Sequence, residues 1–127
     1  MRTYKLYGAG AGTGTNNLAN VTVQKNGRIR NLRWNCQADL DADLETATWE
    51  LSTASSAQVT TNDTPNVIDQ VSVNSQFTTS GMTQGAINVS RENMDFPVAA
   101  GEKLYLNTVI TGSPSERGTV FIDVEEL

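Results

Sequence analysis

Between Lys103 and Val124 the chain alternates with a period of two, and this constrains its fold more than any other feature. Leu104, Leu106, Thr108 and Ile110 share one parity, while Lys103, Tyr105, Asn107 and Val109 share the other. Successive side chains of an extended strand point to opposite faces, so this pattern specifies a strand with one face on a core. Beyond the turn-rich gap 111–118, Val120, Ile122 and Val124 alternate with Phe121, Asp123 and Glu125. The two runs read as neighbouring antiparallel strands. Pro97 and Gly101 punctuate the entry to the first.

The rest of the chain reads in the same way. It is rich in Thr, Asn, Ser and Val, which favour short strands and turns over helices. Residues 2–7 alternate weakly, the pattern of a short strand, with Tyr4 and Leu6 on one side. Residues 20–24 and 29–37 flank Lys25-Asn26-Gly27-Arg28, and an Asn-Gly pair adopts positive φ readily, so a two-residue hairpin turn is expected. Leu32, Trp34 and Cys36 form the apolar face of the second of these strands. Parity changes between Ile29 and Leu32, which places a bulge near Arg30-Asn31 or a switch between sheets there. Residues 47–53 form a strand with Trp49, Leu51 and Thr53 inward. Residues 67–79 carry Val71, Val73, Ser75 and Phe77 on one parity, and a short strand follows around 86–89. Turn spacing then predicts about seven or eight short strands, the count of an all-β, antiparallel, jelly-roll-like sandwich.

A chain of 127 residues makes one domain, able to bury about two-thirds of its unfolded surface. Residues 8–17, with glycine at 8, 10, 12 and 14, have little to bury and lose much entropy on ordering. We therefore divide the chain into a flexible N-terminal arm and Gly-rich linker, 1–17, and a sandwich domain, 18–127. The spacing of Gly10, Gly12 and Gly14 superficially suggests a nucleotide loop. The strand, helix start and downstream acid of that fingerprint are missing around it.

Charge narrows the partners. Nine Lys and Arg against 14 Asp and Glu leave a net charge of −5, and the sequence pI is near 4.5. Such a chain is not expected to bind nucleic acid or an anionic membrane, both of which need a concentrated cationic face. Cys36 is the only cysteine, so no intrachain disulfide can form, and there is no histidine. A buried, inert thiol is the expectation. No secretory h-region and no long apolar run are found, pointing to synthesis and folding in a reducing cytoplasm.

No grouping of residues announces catalysis: there is neither a Cys/His pair nor a Gly-x-Ser-x-Gly elbow. No cofactor is expected. Asp39, Asp41, Asp43 and Glu50 fall at positions 1, 3, 5 and 12 of a calcium-loop spacing. Leu44, however, takes the position where glycine must turn, so an acidic solvated loop is the better reading. Sequons begin at Asn20, Asn62 and Asn88, in a chain with no secretory signal. Lys25, Arg28, Arg30 and Arg33 gather into a basic end, read either as a solvated hairpin tip or as an ion-pairing contact with an acidic neighbour. Trp34 and Trp49 fall in step with apolar neighbours and read as core anchors, not as sugar platforms. Tyr105 and Phe121 lie on the outward parity, and adjacent exposed aromatics mark an interface.

The run Phe96-Pro97-Val98-Ala99-Ala100-Gly101-Glu102-Lys103-Leu104-Tyr105-Leu106-Asn107, followed by residues 118–124 and preceded by the Asn26-Gly27-Arg28-Ile29 turn leading to Trp34, resembles small β-sandwich structural proteins of tailed bacteriophages. Those are head-decoration (cement) proteins and related virion components. The resemblance implies a homotrimer on the capsid surface, seated on the major capsid protein and bridging capsomers, with no catalytic residues. Together with the alternation it gives the expected contacts: the arm (Tyr4, Leu6, Tyr7), the basic hairpin (Lys25, Arg28, Arg30) and the Tyr105/Phe121 face. The same fold also serves tail, fibre or baseplate components, and a carbohydrate-binding module is a further alternative.

Overall fold

The computed structural model describes residues 1–9, 14–40, 46–55, 66–74, 83–111 and 115–127. In chain order the strands among them are β1 (Arg2–Ala9), β2 (Gly14–Thr22), β3 (Gly27–Leu40), β4 (Thr46–Ser52), β5 (Val67–Asn74), β6 (Thr83–Arg91), β7 (Phe96–Val98), β8 (Lys103–Thr111) and β9 (Ser115–Glu126). They build two antiparallel sheets packed as a β-sandwich. The first sheet runs β1-β9-β3-β6, with β7 also paired to β3; the second runs β2-β8-β4-β5. With the short β7 set aside, successive long strands switch sheets at every step except β4 to β5, which are neighbours in the second sheet, and this is jelly-roll winding.

The interior follows the alternation. Leu32, Trp34, Cys36, Val120, Ile122 and Val124 of the first sheet face Ala47, Trp49, Leu51, Leu104, Leu106 and Ile110 of the second, all buried. The parity change in β3 is a bulge: its pairing with β9 shifts between Ile29 and Asn31. That extra residue lets both Ile29 and Leu32 reach the core. At one margin of the sandwich Trp34 Nε1 donates to Asp69 Oδ2 at 2.8 Å, and Arg91 Nε donates to the same oxygen at 3.1 Å. A single carboxylate thus joins β3, β5 and β6 across the two sheets.

Three expectations are corrected. First, β8 and β9 are not neighbours; they lie in opposite sheets. Alternation states that each strand has a core face, and says nothing of which strand lies beside it. Second, Lys25-Asn26-Gly27-Arg28 closes no hairpin, because β2 and β3 also lie in different sheets. It is a corner, tied by Val23 N–H to Glu102 O at 2.8 Å, Leu127 N–H to Asn26 O at 2.9 Å and Ala100 N–H to Asn26 Oδ1 at 2.9 Å. Glycine is needed at position 27 for close approach, since a Cβ there would stand 2.5 Å from Glu125 O.

Third, residues 2–9 are a strand of the sandwich and not an arm. β1 pairs with β9 from Arg2↔Val124 to Ala9↔Arg117. Tyr4 and Leu6 are buried, and the Tyr4 hydroxyl accepts the Gln24 N–H at 3.0 Å. Burying each of these side chains contributes about 1.5–3 kcal/mol, so the segment has a strong reason to dock. Gly10 and Gly12 lie outside the described residues. Gly14 opens β2 with φ 106°.

Candidate docking face

The outer face of the first sheet gathers what a binding surface needs. β9 lies between β1 and β3, and the registers align Lys5–Phe121–Arg33, then Tyr7–Thr119–Asn35, then Ala9–Arg117–Gln37. Outward parity puts these side chains on the side away from the core. Phe121 is half-buried because it lies between two cations: Arg33 Cζ is 4.8 Å and Lys5 Nζ 5.9 Å from its ring centroid. Tyr7 is 53 % exposed, an unusual exposure for an aromatic residue in a paired strand. Arg117 Nη2 donates to Gln37 Oε1 at 2.6 Å. Between Tyr7, Asn35, Gln37, Arg117 and Thr119 the surface sinks into a shallow depression of about 310 Å³. A second, of about 260 Å³, lies between Arg33, Asn88, Ser90 and Phe121.

Towards the corner the same face becomes electrically balanced. Thr3 Oγ1 donates to Asp123 Oδ1 at 2.7 Å, and Arg33 Nη2 is 3.6 Å from that oxygen. Arg28 and Arg30 each place Nη1 3.0 Å from Asp95 Oδ1, and Arg30 Nη2 is 2.9 Å from Glu125 Oε1. Arg28 and Arg30 therefore find carboxylate partners within the chain itself. Exposed pairs of this kind are worth about 0–1 kcal/mol each. Lys25 sits exposed at the corner.

Tyr105 belongs to the other side of the molecule. It lies on the outer face of the second sheet, half-buried, paired in register with Asn20 and Ser52. The anticipated Tyr105/Phe121 patch is thereby divided between two opposite faces. The second sheet's outer face is also partly covered by the chain. Residues 53–55 turn back over it, with Asn107 Nδ2 donating to Ala54 O at 3.0 Å and Asn17 Nδ2 to Ser55 O at 3.1 Å. Ser52 Oγ donates to Asn66 O at 3.0 Å.

Beneath that cover Glu50 is fully buried in β4, accepting from Asn107 Nδ2 at 3.3 Å. Glu50, the last carboxylate of the calcium-like spacing, is thus on a strand, as expected of residues 47–53, and part of a buried polar contact. Asp39, the last but one residue of β3, is in register with Ser115, while Asp41 and Asp43 lie outside the described residues. Among the described residues no three of His, Cys, Asp and Glu gather at metal-binding distance. Cys36 is buried, and desolvation pushes its thiol up to about 12 against an ordinary 9.0, a hydrogen bond from the Thr119 backbone opposing the rise. A thiol so protonated is a poor nucleophile.

Of the residues singled out in the sequence, Tyr7, Arg28, Arg30 and Phe121 share the first sheet's outer face. Tyr4 and Leu6 are core. Arg33, also singled out, joins them there, and Lys5 and Arg117 complete the face; the grouping depends on β1 and β9 pairing across 108 to 122 residues of chain, from Ala9↔Arg117 to Arg2↔Val124. No protein-family model and no curated protein matches the chain.

Proposed function

We propose that this chain is a non-enzymatic structural component of a tailed-bacteriophage virion, a capsid decoration protein that assembles as a homotrimer and bridges capsomers of the major capsid protein. The observation that carries the reading is the asymmetry of the two outer faces. One is partly occupied by the chain's own residues 53–55, while the other presents Tyr7, Phe121 and three cations on strands held in a sandwich. Aromatic and Arg side chains are enriched where protein surfaces dock. Paired strands lose little freedom on binding, so such a surface is preorganised. In a trimer three modest contacts act together, and once one is made the others form at high effective concentration.

The carbohydrate-module alternative loses support from the same residues. Trp34 and Trp49 are buried, and the Phe121 ring is already engaged by Arg33 and Lys5. Light scattering on the purified chain and cosedimentation with undecorated capsids of the parent particle test the proposal. A trimer that cosediments saturably is expected. A strict monomer at high concentration sinks the trimer, and absence of capsid binding sinks the decoration role.

A further inference from the structure

The chain carries five more acids than bases, yet three consecutive rows on the first sheet's outer face hold no carboxylate and three cations, two in the first row and one in the third. Lys5, Arg33 and Arg117 occupy the rows Lys5–Phe121–Arg33–Ser90, Tyr7–Thr119–Asn35–Asn88 and Ala9–Arg117–Gln37–Ala86. Asp123 bounds this island on one side, and Asp39 follows in register beyond Gln37 on the other. Among the described residues Lys5 and Arg117 form no ion pair and Arg33 only a long one, 3.6 Å to Asp123 Oδ1, whereas Arg2, Arg28, Arg30 and Arg91 each have a carboxylate within 3.1 Å. Lys5 and Arg117, with no carboxylate partner among the described residues, hold a local positive potential against the overall field, a feature that serves association more than stability.

We infer that this cationic island is a docking site for a carboxylate-rich protein surface. Phe121 prepares it: with Arg33 and Lys5 held against the ring, the two cations are oriented before a partner arrives. Less side-chain entropy is then lost on binding, and a guanidinium presents a fork that fits a carboxylate. Tyr7 supplies an exposed aromatic anchor beside the depression formed with Arg117 and Asn35.

The alternatives fit less well. Sugar rings stack on free aromatic faces, and here the cations occupy Phe121. Three cations are too few to hold a phosphate backbone against a net charge of −5. A second copy docking face to face through a two-fold axis sets cation against cation, because such contacts place the same patch on both sides. The inference rests on the docking reading above only in taking the partner to be a protein.

Titration of the ¹⁵N-labelled full chain, followed by NMR, tests it with four probes: octaglutamate, octaglutamine, an oligogalacturonate and a short DNA duplex. Octaglutamate is expected to shift the amides of Lys5, Tyr7, Arg33, Arg117 and Phe121 saturably. Binding should weaken about tenfold or more between low salt and 0.5 M NaCl, as screening shortens the reach of exposed charges. Lys5→Glu with Arg117→Glu, both exposed positions, should abolish the response while leaving the spectrum dispersed; Lys103→Glu on the second sheet should leave it unchanged. No response, shifts centred elsewhere, or shifts that survive the double reversal overturn the inference. So does a stronger response to the oligogalacturonate or to DNA. If capsids are not bound while octaglutamate maps to the island, the decoration role fails and this inference stands. If capsids are bound equally by wild type and double reversal, the inference fails alone.

Discussion

Gly118 and Trp49 meet across the core so closely that a Cβ on Gly118 would stand 2.4 Å from Trp49 Nε1 and 3.2 Å from Cys36 Sγ. The indole fills the space that the missing side chain leaves on β9, which lets the two sheets approach at their centre. Trp49 is fully buried, so it has no direction in which to retreat. Gly118→Ala is expected to destabilise the fold by about 1–3 kcal/mol, the usual cost of overpacking. Urea denaturation measures it; an unchanged midpoint would show that the interior yields more easily than its packing implies.

Removal of residues 1–9 is expected to do more than trim an end. It strips β1 from β9, discards buried Tyr4 and Leu6, and leaves a row of β9 backbone groups without partners. The hydrophobic loss alone is about 3–6 kcal/mol for two side chains, comparable with the whole stability of many small domains. Circular dichroism and NMR of the truncated chain should report a largely unfolded or aggregating protein. A cooperative, well-dispersed fold would restore the arm interpretation.

The Asp69 carboxylate separates two kinds of loss. Asp69→Ala leaves the Trp34 indole N–H, in a side chain only 2 % exposed, without its acceptor, at a cost of about 1–3 kcal/mol. Asp69→Asn keeps an oxygen for the indole and forfeits only the charge facing Arg91. It should cost less than Asp69→Ala. Equal losses in thermal denaturation would mean that the charge, not the acceptor, matters at this margin.

Cys36 makes stability depend on pH in a defined window. Its folded thiol is held near 12, above the ordinary 9.0, because burial disfavours the thiolate. The folded state therefore keeps a proton that the unfolded state releases above pH 9. The contribution is complete below pH 9 and is lost as pH rises towards 12. Wild type should lose stability more steeply than Cys36→Ala over that interval, and the difference between the two chains cancels the other titrating groups. Parallel slopes in urea denaturation at successive pH values would remove Cys36 from the account.

Much of the fold was legible because alternation is a local property. The inward rows of β8 and β9, the bulge forced by Ile29 and Leu32, and the buried Trp34, Trp49 and Cys36 all follow from side-chain parity and a single core. Pairing was not legible. Which strand lies beside β9 depends on contacts between Arg2–Ala9 and the far end of the chain, and nothing within either segment names the other. That Glu50 lies on a strand was legible, but its burial was not, for a related reason. Its parity is outward, but residues 53–55 cover that outward face, a fact that belongs to the path of a loop and not to a periodicity. The docking face combined both difficulties, since Lys5 and Arg33 meet only across Phe121.

Tyr105 and Phe121, alike in parity and in chemistry, should behave oppositely on substitution. Phe121→Ala removes the ring against which Arg33 and Lys5 are held; cation–π contacts at exposed sites are worth about 0.5–1 kcal/mol. The fold should barely change, because Phe121 faces away from the core and its strand keeps Val120 and Ile122 inside. Under the proposed decoration role, attachment to capsids should weaken by about tenfold or more, as two oriented cations and one aromatic contact would be lost together from each subunit and multivalency would multiply the deficit. Tyr105→Ala lies on the opposite sheet, beside Asn20 and Ser52, and should leave attachment within twofold, about 0.4 kcal/mol, of wild type. Cosedimentation of the two variants with capsids makes the comparison directly. If Tyr105→Ala is the variant that fails to bind while Phe121→Ala binds normally, the docking face lies on the second sheet, and the assignment made from Lys5, Phe121 and Arg33 is wrong.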